Sequence, residues 1–286
     1  MSIEILFDLL LDACMDSLRL VPFLLVTYVI MEYLEHKTST KTWAVVRKAG
    51  RLGPLAGSLA GAFPQCGFSA AASNLYAGGV ITVGTLLAVF LSTSDEMLPI
   101  FISEAVDVRV IVMIVGSKAV LGMLTGFLVD FLFRFRPSLI RYKEIHVICE
   151  SEHCGCEKNI FTSAVRHTVK IFAVIFFFSA ALNVLIELWG EDRLAQFMSD
   201  QPVLGPVLAG IVGLLPNCAA SVMVTKLYLG QFISLGAMMS GLLVGAGVGL
   251  LVLFQVNKKW KENLLILAVL YSSGVAWGIV IDLFFR

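Results

Sequence analysis

Charge is what this chain has least of. Only 15% of its 286 residues are Asp, Glu, Lys or Arg, acidic and basic residues number 21 each, and histidine occurs 4 times. A net charge of zero excludes a globally basic nucleic-acid binder, so no nucleic-acid partner is expected. Water-compatible surface is equally scarce. Hydrophobic residues make up 58% of the chain and the mean hydropathy is +0.88, values that do not describe a soluble domain. No His-Glu-x-x-His, Gly-x-Ser-x-Gly or nucleotide-binding loop is present, so neither an enzyme nor an ATP-driven pump is expected. The six cysteines, at positions 14, 66, 149, 154, 156 and 218, make a poor disulfide framework, because Cys66 and Cys218 lie in uncharged stretches and three others crowd one loop. They read as free thiols or ligands. Met1 to Asp16 carries Glu4, Asp8, Asp12 and Asp16 and no basic residue, which excludes a secretory signal and predicts a retained N-terminus.

What the chain has instead is length without charge. Uncharged runs of 43, 31, 25, 19 and 16 residues lie between Arg51 and Asp95, Lys226 and Lys258, Asp200 and Lys226, Glu262 and Asp282, and Lys170 and Glu187. Spanning a bilayer takes roughly 20 apolar residues, so several helices cross and lipid is an obligatory partner. The sequence sets no oligomeric state.

The chain also repeats itself. A constant offset of 152 superposes residues 1–134 on 153–286 without a gap. The stretch Gly53 to Gly84 lies over Gly205 to Gly236 with 11 of 32 positions identical, among them Pro64/Pro216, Cys66/Cys218, Ser69/Ser221 and Tyr76/Tyr228. Near the ends, Gly122, Gly126, Asp130 and Arg134 match Gly274, Gly278, Asp282 and Arg286. The expected organisation is a first membrane repeat at 1–134, a Cys/His-rich linker at 135–166 and a second repeat at 153–286.

Basic residues orient the repeats. Fifteen of the 21 fall in three connections, around Lys37 to Arg51, Arg134 to Lys170 and Lys258 to Lys261. The positive-inside rule makes loops 36–51, 135–168 and 257–262 cytoplasmic and both termini external. Sites equivalent by the offset fall on opposite sides, so the halves point in opposite directions. Each half then crosses an odd number of times. Full spans are expected near 17–35, 80–103 and 109–133, with partners near 169–187, 232–256 and 263–284. Between the first two spans of each half, a Pro-x-Cys segment with roughly 11 helix-forming residues on either side reads as two half-helices that enter and turn back. The expected fold is an all-α polytopic membrane protein of two inverted-topology repeats, ten helical elements in all, the pattern of secondary transporters.

Four groups of residues could carry chemistry. The first is the pair of tips, Phe63-Pro64-Gln65-Cys66-Gly67 and Leu215-Pro216-Asn217-Cys218-Ala219. Proline starts a half-helix, so a cysteine just after it has its thiolate favoured, while carbonyls near Ala62 and Leu214 and the amides of Gln65 and Asn217 offer oxygen. Ser69 and Ser221 follow one turn on. The alternative is that small residues there serve close helix packing. The second is Ser92-Thr93-Ser94-Asp95-Glu96 with Pro99, in the second span. Adjacent carboxylates inside a membrane cost about 2.5–3.5 kcal/mol each and ask for a partner, proton or ion. An early end to the helix would instead make Asp95 and Glu96 interfacial. Gly245 and Gly247 lie at the equivalent place in the other half. The third group is Lys118 and Lys226. Lys226, eight residues after Cys218, could pair Asp95 or Glu96 or attract an anion, and either lysine could snorkel to an interface. Asp130 and Asp282, near span ends, read as caps or interfacial ion pairs. The fourth is the linker, where His146, Cys149, His153, Cys154 and Cys156 could close a tetrahedral site for a soft metal ion within residues 146–157. No cofactor is otherwise required.

At the doubled FPQCG and LPNCA tips, the TSDE segment, the Cys/His-rich loop followed by RHTVKI, and LNVLIELWG, the whole chain resembles the ten-span heavy-metal exporters, whose members carry labels such as manganese transporter and arsenic efflux protein. The resemblance implies an inner-membrane exporter of a metal ion or small metalloid. Mn²⁺ prefers oxygen, which Asp95, Glu96, Asn217, Gln65 and free carbonyls supply, whereas Cys66 and Cys218 suit soft ions or trivalent arsenic. Two carboxylates favour the divalent metal, moved by secondary transport with proton antiport through Asp95 or Glu96. Efflux of arsenite or trivalent organoarsenicals through the cysteines is the alternative, and a metal-sensing membrane scaffold built on the 146–157 loop a distant one.

Overall fold

The computed structural model describes residues 52–63, 67–94, 97–134, 204–216 and 218–284, with scattered helical positions between 11 and 29 and between 165 and 180. The central loop 146–157, with His146, Cys149, His153, Cys154 and Cys156, lies outside the described residues, as do Pro64, Gln65, Cys66, Asp95, Glu96 and Asn217.

Every described element is a helix. In the first half these are α1 (Gly53–Gly61), α2 (Gly67–Ala77), α3 (Val83–Ser92), α4 (Met97–Ser103) and α5 (Val108–Arg134). In the second half they are α6 (Leu204–Gly213), α7 (Cys218–Leu229), α8 (Leu235–Val244), α9 (Val248–Val256) and α10 (Trp260–Phe284). Four segments are long and apolar enough to cross a membrane: Val83–Ser103, Val108–Phe133, Leu235–Val256 and Trp260–Phe284. The chain is an all-helical polytopic membrane protein among its described residues. At 1.5 Å per residue the nine-residue α1 is only about 14 Å long, so α1 and α2, like α6 and α7, reach part of the way through an apolar core about 30 Å thick.

One expectation needs correcting. The second span of each half, at 80–103 and 232–256, is not continuous. α3 stops at Ser92, with Thr93 extended as its C-cap, and α4 starts at Met97. α8 stops at Val244 and α9 starts at Val248, with Gly247 at a φ of 53° as its N-cap. The breaks fall at equivalent positions. Pro99, in the first turn of α4, has no amide to give to a carbonyl four residues back, and Gly247 adopts a backbone that a side chain would resist.

Burial sorts the spans into two classes. Val83–Ser103 and Leu235–Val256 are mostly buried, whereas α5 and α10 expose apolar faces such as Val112, Leu124, Leu128 and Leu264, as lipid-facing helices do. α1 and α3 run parallel, because Gly53 meets Thr85, Gly57 meets Val89 and Gly61 meets Ser92. α5 runs antiparallel to α3, Gly126 against Gly84 and Gly122 against Ala88. The same contacts recur 152 residues on: Gly213 meets Gly241, Gly278 meets Gly236 and Gly274 meets Val244.

The halves are joined by exchange. α2 packs on α9 and α7 packs on α4, so each hairpin's second helix lies against the other half's post-break helix. Both apolar cores are therefore shared; one joins Phe90 and Leu91 to Leu250 and Leu253, the other joins Phe101 and Ile114 to Met238 and Leu242. Trp277 Nε1 donates to Thr125 Oγ1 at 3.0 Å, a contact between two positions related by the offset itself.

Candidate functional site

The site grows from two helix ends. α1 and α3 lie side by side and both end at the same level, with Gly61 so close to α3 that an added Cβ would stand 2.2 Å from Ser92 Oγ and 2.5 Å from the Val89 carbonyl oxygen. The Pro-x-Cys tip leaves α1 at that point, and the Ser92–Glu96 segment leaves α3 there. Two motifs 30 residues apart in sequence thus start from one place. In the second half Gly213 and Gly245 repeat the arrangement, with an added Cβ on Gly245 at 3.8 Å from the Gly213 carbonyl oxygen.

A helix C-terminus leaves carbonyls unpaired and carries about half a negative charge. In the first half side-chain hydroxyls add bonds around that end, beside the backbone bond that Thr93 N gives to the Val89 carbonyl. Ser92 Oγ donates to the Ala88 carbonyl at 2.7 Å, Thr93 Oγ1 to Val89 at 2.7 Å and Ser94 Oγ to Ser92 at 3.1 Å. All three residues are buried. The carbonyl of the C-cap, Thr93, accepts from Lys118 Nζ.

Lys118 is 1% exposed, in the middle of α5. Gly122, one turn further along, lets α5 approach α3 so closely that an added Cβ would lie 2.9 Å from the Ala88 carbonyl oxygen, which brings Lys118 within reach of the end of α3. A buried ammonium needs compensation, and the helix end supplies part of it. Asp95 and Glu96 are the next carboxylates in sequence. The second half has no such arrangement: Leu270 stands where Lys118 would be, fully buried, and Gly245, Ala246, Gly247 and Val248 replace Thr93 to Glu96.

The other expected residues fall as follows. Ser94 is buried at the break and Ser69 is fully buried on α2, where an added Cβ on Gly249 would touch Ser69 Cβ at 2.7 Å across the interface between halves. Ser73, one turn on, donates to the Gly249 carbonyl at 2.7 Å. Ser221 and Pro216 are half-buried, and Cys218 opens α7. Lys226 is exposed in the last turn of α7, whereas Lys118 is buried. Among the described residues no group of three or more His, Cys, Asp or Glu side chains could hold a metal ion.

Asp130 and Asp282 are caps, but of a neighbouring helix. Asp130 accepts from Gly84 N at 2.8 Å and Thr82 Oγ1 at 2.7 Å at the start of α3. Asp282 accepts from Gly236 N at 2.8 Å and Ser234 Oγ at 2.7 Å at the start of α8. Each carboxylate sits on the positive end of a buried half-helix.

Sequence reasoning passed over Lys118 as a site residue. The available signal was asymmetry: a lysine in one repeat against a leucine in the other, both inside long apolar helices. Hydropathy alone does not say which face of α5 the lysine takes.

No curated protein and no solved structure gives a significant match to the chain. A family model does match, over residues 2–189 and again over 157–286, which together cover nearly the whole length. With a membrane-spanning helical body, broken buried helices and a polar site at their ends, the chain belongs to the family described as "Putative, 10TM heavy-metal exporter".

Proposed function

We propose that the protein is a secondary-active transporter that exports a divalent heavy metal of the Mn²⁺ type, with protons moving the other way through Asp95 or Glu96. The observation that carries this reading is the Lys118 ammonium on the Thr93 carbonyl, where two helix C-termini end together. That place stabilises a positive charge inside the membrane. Its donors are hard oxygens: helix-end carbonyls, the hydroxyls of Ser92, Thr93 and Ser94, and in sequence the carboxylates of Asp95 and Glu96. Such a set suits a hard divalent cation better than a neutral arsenical, which would rely on Cys66 and Cys218. Gln65, Asn217, Pro64, Pro216, Ser69 and Ser221 complete the two tips.

The reciprocal exchange of helices between halves, together with the opposite charge of equivalent loops, supports an inverted-topology repeat of ten elements. In that arrangement the protein lies in the inner membrane with both termini outside and loops 36–51, 135–168 and 257–262 in the cytoplasm. The 146–157 loop serves as an accessory metal site there. The chain acts as a carrier and not as an enzyme.

The test is flux in proteoliposomes under an imposed pH gradient, offering Mn²⁺, Zn²⁺, Cd²⁺, arsenite and methylarsenite separately. Mn²⁺ moves, and an Asp95→Asn, Glu96→Gln double variant stops it. Unchanged flux and unchanged pH dependence in that variant refute the carboxylate route. Movement of thiophilic species alone, stopped by Cys66→Ser or Cys218→Ser, refutes the substrate assignment.

A further inference from the structure

The two contacts between the halves are alike in backbone and unlike in chemistry. α2 lies on α9, and α7 lies on α4 in the equivalent place. We infer that Tyr76 and Glu262 form a latch that keeps the α2–α9 contact shut in the resting carrier, and that it must release for cargo to load from the face that carries Lys258, Lys259 and Lys261. That release admits cargo rests on the export reading; the latch itself rests on three observations.

First, Tyr76 Oη donates to Glu262 Oε1, which ties the end of α2 to the first turn of α10 and so joins the halves. Tyr76 is 7% exposed and the Glu262 side chain 10%, and the same carboxylate takes Lys259 Nζ at 3.1 Å. The turn that presents Glu262 is fixed by two buried asparagines. Asn257 Nδ2 donates to Asn263 Oδ1 at 2.7 Å, and Asn263 Nδ2 donates to the Asn257 carbonyl at 2.8 Å. A hydroxyl bonded to a charged acceptor on a rigid turn is a strong, well-aimed contact.

Second, the latch closes over a polar seam. Ser69, Ser73 and Asn74 on α2 are fully buried, and Ser73 Oγ donates across the seam to the Gly249 carbonyl at 2.7 Å.

Third, the equivalent contact lacks these ties. Tyr228 keeps the hydroxyl of Tyr76, but Val110 stands where Glu262 would be, and Ala105 and Ile111 replace Asn257 and Asn263. Thr225, in place of Ser73, donates to the Ser221 carbonyl of its own helix at 2.7 Å. Ser221 and Tyr228 are half-buried and Lys226 is exposed, where Ser69, Tyr76 and Asn74 are buried. A carrier of inverted repeats works by rocking one part against another, so its two equivalent contacts close in turn. Polar ties at one contact alone bias that exchange toward the state in which α2 and α9 are shut.

The experiment combines amide hydrogen exchange of the purified full-length protein in nanodiscs with flux in proteoliposomes, on wild type, Tyr76→Phe, Glu262→Val and, as control, Tyr228→Phe. Tyr76→Phe removes one hydroxyl and keeps the ring, and valine is the residue that the other half carries at the Glu262 position; thermal unfolding checks that each variant is folded. Tyr76→Phe and Glu262→Val each speed exchange in α2 and α9 by about tenfold, and the double variant goes no further than about that, because one bond is lost. α4 and α7 exchange as in wild type, and Tyr228→Phe changes neither pair. With Mn²⁺ offered to the face that carries Lys258 to Lys261, the half-saturating concentration falls by about threefold or more in Tyr76→Phe, since more of the carrier is open to loading. Damage to packing would raise that concentration or lower the maximal flux instead. Unchanged exchange in α2 and α9, an equal effect of Tyr228→Phe, or a raised half-saturating concentration overturns the inference and leaves the export reading standing. No Mn²⁺ flux in wild type removes the export reading, and the exchange rates then decide the latch by themselves.

Discussion

Removing the Asp130 carboxylate tests how the buried half-helices are held. Asp130 takes two hydrogen bonds at the start of α3, from Gly84 N at 2.8 Å and Thr82 Oγ1 at 2.7 Å. In Asp130→Ala the Thr82 hydroxyl keeps its place, since it also caps Thr85 N at 3.0 Å. The Gly84 amide loses its acceptor at a half-buried site. A hydrogen bond to a charged acceptor contributes about 1.5–3 kcal/mol, so the loss is about 2–3 kcal/mol. Asp282 makes the same two contacts at 2.8 and 2.7 Å, but Ser234 is exposed and water can reach the amide once the carboxylate is gone. Its loss is about 1–2 kcal/mol. Asn at either position keeps an acceptor for the amide and costs less than Ala. Unfolding followed by tryptophan fluorescence reads the difference. At roughly 2–4 °C per kcal/mol, Asp130→Ala lowers Tm by roughly 4–12 °C and Asp282→Ala by roughly 2–8 °C. An unchanged Tm in Asp130→Ala, or a larger fall at Asp282 than at Asp130, refutes the reasoning.

Gly61→Ala puts a Cβ 2.5 Å from the Val89 carbonyl oxygen, backbone that cannot step aside, so the tip is pushed from the break and flux falls roughly tenfold or more in a folded protein; Gly116→Ala, with nothing within 4 Å, leaves flux unchanged. Trp277→Phe and Thr125→Val each cost about 1 kcal/mol in thermal unfolding, and the double variant costs no more than about that, because both remove one bond; a double variant twice as costly means the bond is not the interaction lost.

Much of the fold was legible in one dimension. The offset of 152 predicts pairs of helices, and all ten described elements fall in such pairs, from α1 with α6 to α5 with α10. The Pro-x-Cys segments read correctly as places where helices end, because proline at a helix start is a local signal. The interruption of the second span did not read so clearly. Ser92 to Ser94 close an uncharged run, and Asp95, Glu96 and Pro99 were the local signs that α4 begins afresh. In the second half the sign was weaker still, a pair of glycines that also suit close packing.

Of the candidate site, the sequence named the parts and not their arrangement. Ser94, Ser69 and Lys118 are buried, and Lys226 is exposed. Side-chain burial on a mostly apolar helix depends on which neighbour covers which face, and the few polar residues of α5 do not mark one face.

The sequence by itself determined that this chain lives in a membrane, is built twice from one pattern, and concentrates its polar chemistry at a few points, because uncharged length, self-similarity and proline act locally. Only the tertiary structure decided that the second span of each half is broken, that the halves exchange their post-break helices, and that one lysine closes the end of α3. A helix breaks inside a membrane only where other groups satisfy the backbone it frees, and at the end of α3 one of those groups, Lys118, comes from another helix.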